Sequence, residues 1–555
     1  MHRRNRLAAG ALVLALAASP VSAQQVSSKP LPQVDAWGVG WIGANEGAVP
    51  ATFWDNTGAD TLAPLMAALQ PRDLSPSARA MLRRILLSRS KGPADGEKLT
   101  PERLRLLEAL GEAAQSADLR QRYAAADWGK SGERLAAELA LVNGKNDEAC
   151  SATSGKPATD ADWMPMRAAC AALKMDAGAN LIAEQISHAN ENLGVWLIAA
   201  LPAINSPDIA KPDGRYASPF EAAVSVAARL PVPANALAAT TPDVAAAIAL
   251  NADATQEQRR AALPIALNSG KLKPADVAAI LALKSAAPAA KPPTRGAQPK
   301  PDYLALAIAA AADKEAKPEA KAAAYVAALR SADTPADGRL AATALAADIK
   351  TLPRNEATLP FAEPFARAAL LTGDTKLAAD WRKHLGTAPK DKQDGWAAAR
   401  LDLMLSFAGA TNEKPSAILD RMLEAAPYPA AGAAPAAKPG PAEQQLTIRR
   451  IENTRTLFLH VGTGRDLTAA QRATLAAQRT AGRGVSDAAI ARIASAARQN
   501  ADAEAALAII GQLGPDVSAL SFAGLSDLLI QLRDIGLTDD ANAIALEALQ
   551  VWKAL

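Results

Sequence analysis

Aromatic side chains make up only 4% of the 555 residues, cysteine occurs twice and histidine four times. So few aromatics exclude a dense aromatic core. Isolated histidines at His2, His188, His384 and His460 offer no HExxH or comparable metal-ligand spacing. No GxSxG nucleophile elbow occurs, and neither a CxxC redox motif nor a metal-type cysteine set is present. Sustained alternation of β-branched residues is missing, which removes the strand signal. After the first 23 residues there is no apolar run of the roughly 20 residues needed to span a bilayer. We therefore expect a soluble mature chain with no transmembrane segment, metal or cofactor.

The N-terminus reads as an export signal. Arg3, Arg4 and Arg6 form a basic n-region, Leu7 to Ala17 a short apolar h-region, and Val21-Ser22-Ala23 a small-residue cleavage site before Gln24. This predicts a cleaved signal peptide over 1–23 and a periplasmic location. No cysteine lies near the cleavage site, which argues against a lipid anchor. Loss of the three arginines leaves a formally neutral mature chain, without the basic field of a nucleic-acid binder. In an oxidising compartment Cys150 and Cys170 are candidates for a disulfide, two separate buried thiols being the alternative.

What is abundant is alanine, about a quarter of the chain, and alanine is the best helix former. Each alanine buries little area, so stability must come from many helices packed in series. Leu525, Leu528, Leu529 and Leu532 fall at i, i+3, i+4 and i+7, and Ala541, Ile544, Ala545 and Ala548 repeat the spacing after Gly536. A glycine followed five positions on by an alanine recurs at Gly144/Ala149, Gly178/Ala183, Gly373/Ala378 and Gly536/Ala541, all at candidate helix-hairpin turns. The expected fold is all-α, an irregular α-solenoid of degenerate tetratricopeptide-like hairpins. Two stretches rich in Pro, Ala, Gly and Lys, 284–301 and 427–441, read as flexible linkers. They divide the mature chain into an N-terminal helical-repeat block 24–283, a middle block 302–426 and a C-terminal block 442–555.

Three motifs invite a chemical reading. Gly38-Val39-Gly40-Trp41-Ile42-Gly43 matches GxGxxG, but neither a preceding strand nor a following helix is expected, so nucleotide binding is set aside. Its glycines instead let an irregular segment lie close to helices, with Trp37, Trp41 and Trp54 as packing anchors. Gly129-Lys130-Ser131 resembles the end of a phosphate-binding loop whose first glycine is replaced by Ala124. Finally, Arg449, Arg450, Arg455, Arg465, Arg472, Arg479 and Arg483 stand against only Glu452 and Asp466 between 446 and 484. They form a candidate patch for an anionic partner, or else solvate helix faces.

The run Trp37-Gly38-Val39-Gly40 with Glu46 to Trp54, the Ser75-Pro76 entry into Leu82 to Leu87, and the Ala149-Cys150, Trp163, Cys170 stretch resemble alanine-rich exported helical proteins of alphaproteobacteria. The likeness covers roughly residues 35–205 and implies an exported helical fold and a paired-cysteine hairpin, with no activity attached. A looser architectural similarity is to the helical superhelix of periplasmic soluble lytic transglycosylases and to periplasmic motility proteins with degenerate helical repeats. The Glu-Ser signature of the transglycosylase catalytic domain is absent. The functional expectation is a non-enzymatic scaffold or protein-protein interaction protein of the cell envelope that holds an envelope protein. The alternative is a peptidoglycan-binding or peptidoglycan-modifying helical protein.

Overall fold

The computed structural model describes residues 36–550 apart from 124–129, 207, 239, 268–269, 283–300, 388–393, 430–439 and 479–481. The predicted leader, most of both Pro/Ala stretches and Arg479 lie outside the described residues. Every regular element among the described residues is helical, with no strand and three isolated bridges, at Ile42 to Ser88, Gly58 to Ala94 and Arg483 to Leu520. No described helix is long and apolar enough to cross a membrane.

Local chemistry explains where the helices begin. Ser75, Ser131, Ser218, Thr255, Thr334 and Thr468 each accept a hydrogen bond from an otherwise orphaned first-turn N–H. Proline follows at the first helical position in Pro76–Leu87, Pro219–Ala227 and Pro335–Thr351, where its missing N–H costs nothing. The helices then pair with their neighbours in sequence: Gly178–Ala189 with Glu191–Ala200, Pro242–Leu250 with Gln256–Ala266, Ala362–Leu371 with Thr375–Leu385, Phe522–Asp534 with Thr538–Ala548. Ala149, Ala183, Ala378 and Ala541, the small residues five positions after a glycine, are all completely buried. Gly144, Gly373 and Gly536 hold the left-handed turn. Near Gly178 the left-handed residue is instead Met175, with a φ of 59°. There the Asp176 carboxylate accepts the Gly178 N–H at 2.8 Å, so the turn closes by a side-chain bond and Gly178 is free to start the helix.

Small residues set how closely the pairs approach. A Cβ on Gly194 would stand 2.3 Å from the Ser187 backbone, and one on Gly132 would stand 2.2 Å from the Ala117 carbonyl oxygen. Alanine-rich faces with glycine at the crossing points bring backbones into contact that larger residues would hold apart.

Sequential pairing is half of the arrangement. Ala59–Ala68 also packs on Asp502–Leu513, and Pro76–Leu87 on Thr538–Ala548, so helices near the two ends of the chain share one core. That seam is polar as well as apolar. Ser75 donates its N–H to the Gly514 carbonyl at 2.7 Å, Ala503 to that of Phe53 at 3.1 Å, and Arg84 is ion-paired with Asp540. The main apolar cluster accordingly runs from Trp37 to Leu549 and draws on all three sequence blocks.

A second cluster stands apart, built by residues 137–230 around Trp163, Met166, Trp196 and Phe220. Cys150 and Cys170 are joined within it, with their Cα atoms 5.6 Å apart. Arg134, buried, binds Glu138 at 2.9 Å and the Asp162 carbonyl at 2.7 Å, with its guanidinium over Trp163 and Phe220. The bridge closes a loop of about 20 residues, worth about 3 kcal/mol in the chain-entropy model. Urea denaturation of a Cys150→Ser/Cys170→Ser double variant should show that loss in the transition that exposes Trp163 and Trp196. An unchanged midpoint would show that helix packing alone holds this cluster.

Candidate functional site

A wide concavity, about 850 Å³, opens between the turn 352–361 and the helices Ala362–Leu371, Thr375–Leu385, Gly395–Phe407 and Pro441–Gly462. Its back wall is set by a short knot in the turn. The Thr358 hydroxyl donates to the Pro353 carbonyl at 2.6 Å and accepts the Asn355 N–H at 3.2 Å, while the Asn355 carbonyl accepts the Thr358 and Leu359 N–H groups, both at 3.1 Å, and also meets His384 Nε2 at 3.1 Å. Behind it Phe361, Phe365, Trp381 and His384 stack in sequence, with ring centroids 5.0 to 6.4 Å apart.

On this frame sit three guanidinium groups. Arg330 ends the helix Pro318–Arg330. Arg354 lies with its guanidinium carbon 5.1 Å from the Trp381 ring centre, and Arg449 lies 5.2 Å from that of Trp396 while also pairing with Asp394. Cations held against aromatic faces are partly pre-ordered, which lowers the entropy lost when they bind an anion. Carboxylates share the wall: Glu356, Asp394 and Glu363. Glu363 is already engaged, taking Arg400 at 3.3 Å and Arg367 at 3.5 Å from the protein side. Burial lowers Arg367 to about 10, with the neighbouring Arg400 adding to the shift and Glu363 opposing it. The cleft thus presents two cations held over aromatic surfaces, with Asn355 and Gln445 also lining it.

Of the described arginines of the series, only Arg449 lines this cleft. Arg450 bonds Glu443 and the Pro427 carbonyl. Arg455 is buried against Glu452 and the Ala548 carbonyl. Arg465 lies 3.8 Å over the Phe407 ring and bonds Ser406. Arg472 bonds the Leu467 carbonyl, and Arg483 those of Gln512 and Leu513. Most of the local excess of positive charge is therefore spent on carbonyls and carboxylates within the chain.

Next to Arg465 lies His460, completely buried, with Nδ1 3.0 Å from the Thr456 carbonyl and Nε2 3.3 Å from that of Pro415. Burial holds it down at about 4, against the pull of the two carbonyls. The unfolded chain takes up this proton near pH 6.5 while the native state does not, so stability is lost as the pH falls from there towards 4, by roughly 3 kcal/mol. Several buried carboxyls, Asp243 and Asp540 among them, are raised and act in the opposite sense. The histidine is isolated by comparison with His460→Gln: between pH 7 and pH 4 the wild type should lose roughly 3 kcal/mol relative to the variant. A difference independent of pH would show that His460 ionises normally inside the protein.

The three tryptophans lie elsewhere. Trp37 and Trp54 are buried with ring centroids 4.5 Å apart, and Trp41 is half-buried with its indole N–H on Asp118 at 2.8 Å. Gly40 lies flat on the end of Pro76–Leu87, where a Cβ would come within 2.2 Å of the Arg89 nitrogen. Ser131 caps the helix Gly132–Val142, and Lys130 pairs with buried Glu138. Among the described residues no group of three or more His, Cys, Asp or Glu side chains is placed to hold a metal ion.

Sequence reasoning reached only one residue of the cleft. Arg330, Arg354, Glu363, His384 and Trp396 come from four helices and the turn 352–361, all between 330 and 396, and no regular spacing links them. Trp381 and His384, at i and i+3 on an amphipathic helix, were the one local signal. Comparison with family models, with curated proteins and with solved structures finds no match to the chain.

Proposed function

We propose that the protein is a non-enzymatic scaffold of the cell envelope, exported to the periplasm by a cleaved leader, whose cleft holds an acidic extended segment of a protein partner. One observation carries this reading: an 850 Å³ cleft with Arg354 and Arg449 stacked on tryptophan faces and Arg330 beside them. Arg449 is paired with Asp394 and Arg354 lies 3.7 Å from Asp380, but each guanidinium carries five N–H donors, so that a ligand carboxylate can share it with the resident one. The helical frame suits the role, because stacked degenerate hairpins of the tetratricopeptide-like kind expose a broad concave surface made by several helices at once. Peptidoglycan is the second reading, since its stem peptides carry carboxylates that the same rim would accept.

The test uses the processed protein and an Arg354→Ala/Arg449→Ala variant. Crosslinking in periplasmic extract should give one defined protein adduct with the wild type that the variant loses. Purified sacculi separate the other outcomes. Co-sedimentation without release makes it a wall-binding module, release of muropeptides makes it an enzyme, and either result replaces the scaffold. Recovery of the intact chain with its leader from the cytosol would remove the envelope setting.

A further inference from the structure

A second cavity, about 330 Å³, lies at the seam where the helices of the two chain ends meet. The first turns of Pro76–Leu87 and Pro335–Thr351, the end of Ala362–Leu371 and one face of Thr538–Ala548 wall it. Most of that wall is aliphatic, from Ala80, Leu370, Leu371, Ala543 and Leu546.

Two opposite charges line this cavity and do not pair with each other. The Glu547 carboxylate accepts the Ser77 N–H at 2.7 Å and the Ser75 hydroxyl at 3.3 Å, both on Oε2. Its Oε1 is buried without a hydrogen-bond partner among the described residues. Burial pushes this carboxyl above its ordinary range, a cost that a cation bound there would relieve. Arg339, one turn into Pro335–Thr351, is exposed, and no described carboxylate lies within ion-pair distance of it. The remaining charges at the seam are committed. Arg79 donates to the carbonyls of Pro71, Arg72 and Leu74. Asp516 accepts both the N–H and the hydroxyl of Ser518, and Asp333 is engaged within the protein. A buried acceptor and a free guanidinium thus face one aliphatic hollow of small-ligand size, held apart by the packing of three helices.

We propose that this cavity binds a small zwitterion with an aliphatic side chain, a free amino acid or a dipeptide. The ammonium group meets Glu547, the carboxylate meets Arg339, and the alkyl chain lies against Leu370, Leu371 and Leu546. The pair discriminates by charge at both ends, since a ligand lacking either group leaves one side of the cavity unmet. This site is independent of partner docking in the larger cleft and shares no residue with it.

The experiment is saturation-transfer NMR and calorimetry on the whole processed protein with L-leucine, leucyl-alanine, leucinamide and N-acetyl-leucine. L-leucine or leucyl-alanine should bind saturably at millimolar concentration or below, and both blocked analogues should bind about tenfold more weakly or worse. Arg339→Met, an exposed substitution, should weaken the zwitterion to the level of leucinamide while leaving leucinamide unchanged. Glu547→Gln should do the same relative to N-acetyl-leucine, and circular dichroism shows whether that variant keeps its helices. Absence of saturable binding by either zwitterion overturns the proposal. So does binding indifferent to Arg339→Met, or leucinamide bound as tightly as leucine.

Discussion

Replacing Arg103 by methionine should cost about 3 to 5 kcal/mol of stability, more than any surface change in the molecule. Its guanidinium is completely buried and ties three carbonyls together: Leu86 by Nε at 3.2 Å and Nη2 at 2.7 Å, Ala36 by Nη1 at 2.7 Å, and Val39 by Nη2 at 2.9 Å. One of these ends the helix Pro76–Leu87 and the others belong to the segment that crosses it, so a single side chain both caps the helix and clamps the crossing. Trp37 and Trp41 complete the clamp, with ring centres 4.8 and 5.6 Å from the guanidinium carbon. Methionine matches the stem in length and shape but donates nothing, leaving three buried acceptors at about 1 to 3 kcal/mol each, partly relieved by relaxation. Arg103→Lys should lie between, since an ammonium cannot reach three carbonyls in the plane of a fork. Urea midpoints rank the variants, and limited proteolysis should find new cleavage within 36–43 for the methionine variant. A loss under about 1 kcal/mol would show that water replaces the guanidinium without penalty.

The second large effect is expected at the other end of the chain. Arg400, 1% exposed, reaches the Leu549 carbonyl, and Arg455 reaches that of Ala548, so two arginines from different helices close the C-terminus of Thr538–Ala548. Between them Glu452 binds Arg455 at 2.6 Å, and Glu363 binds Arg400 at 3.3 Å. Arg400→Met strips a buried network of one cation and leaves carboxylates undercompensated, for an expected loss of about 3 to 5 kcal/mol. The cause can be separated from lost packing. If uncompensated charge is the main cost, Arg400→Met/Glu452→Gln should recover part of the stability that Arg400→Met alone has lost. A double variant less stable than the single would assign the effect to the lost carbonyl bond. Hydrogen exchange should accelerate over 538–548 first, because that helix joins the two ends of the chain.

These two sites show how residue chemistry changes meaning with position. In the sequence, Arg455 belongs to a run of arginines with an excess of charge. In the fold it is a buried helix cap, and the run it belongs to is dispersed over carbonyls of five different segments. The tryptophan anchors were visible because large aromatics are rare here and cluster near the start. The arginine that holds Trp37 and Trp41 was not, since nothing local distinguishes Arg103 from the other charged residues of its helix. Apolar periodicity is a local property and exposed the last hairpin directly, down to Leu525, Leu528, Leu529 and Leu532 on its buried face. Met175 marks the limit of that kind of reading, because a neighbouring aspartate supplied the turn that glycine was expected to make.

By itself the sequence determined that the chain is helical, where many helices start, and which small residues face inward. Those features depend on backbone propensity, capping and spacing within a few turns. Only the tertiary structure decided which helices meet across hundreds of residues, which arginines are spent on carbonyls, and where unpaired charge is left facing a cavity. Charged side chains carry no periodic signature of their partners. Their energy is set by burial and by the few groups within reach, and both exist only once the helices have packed.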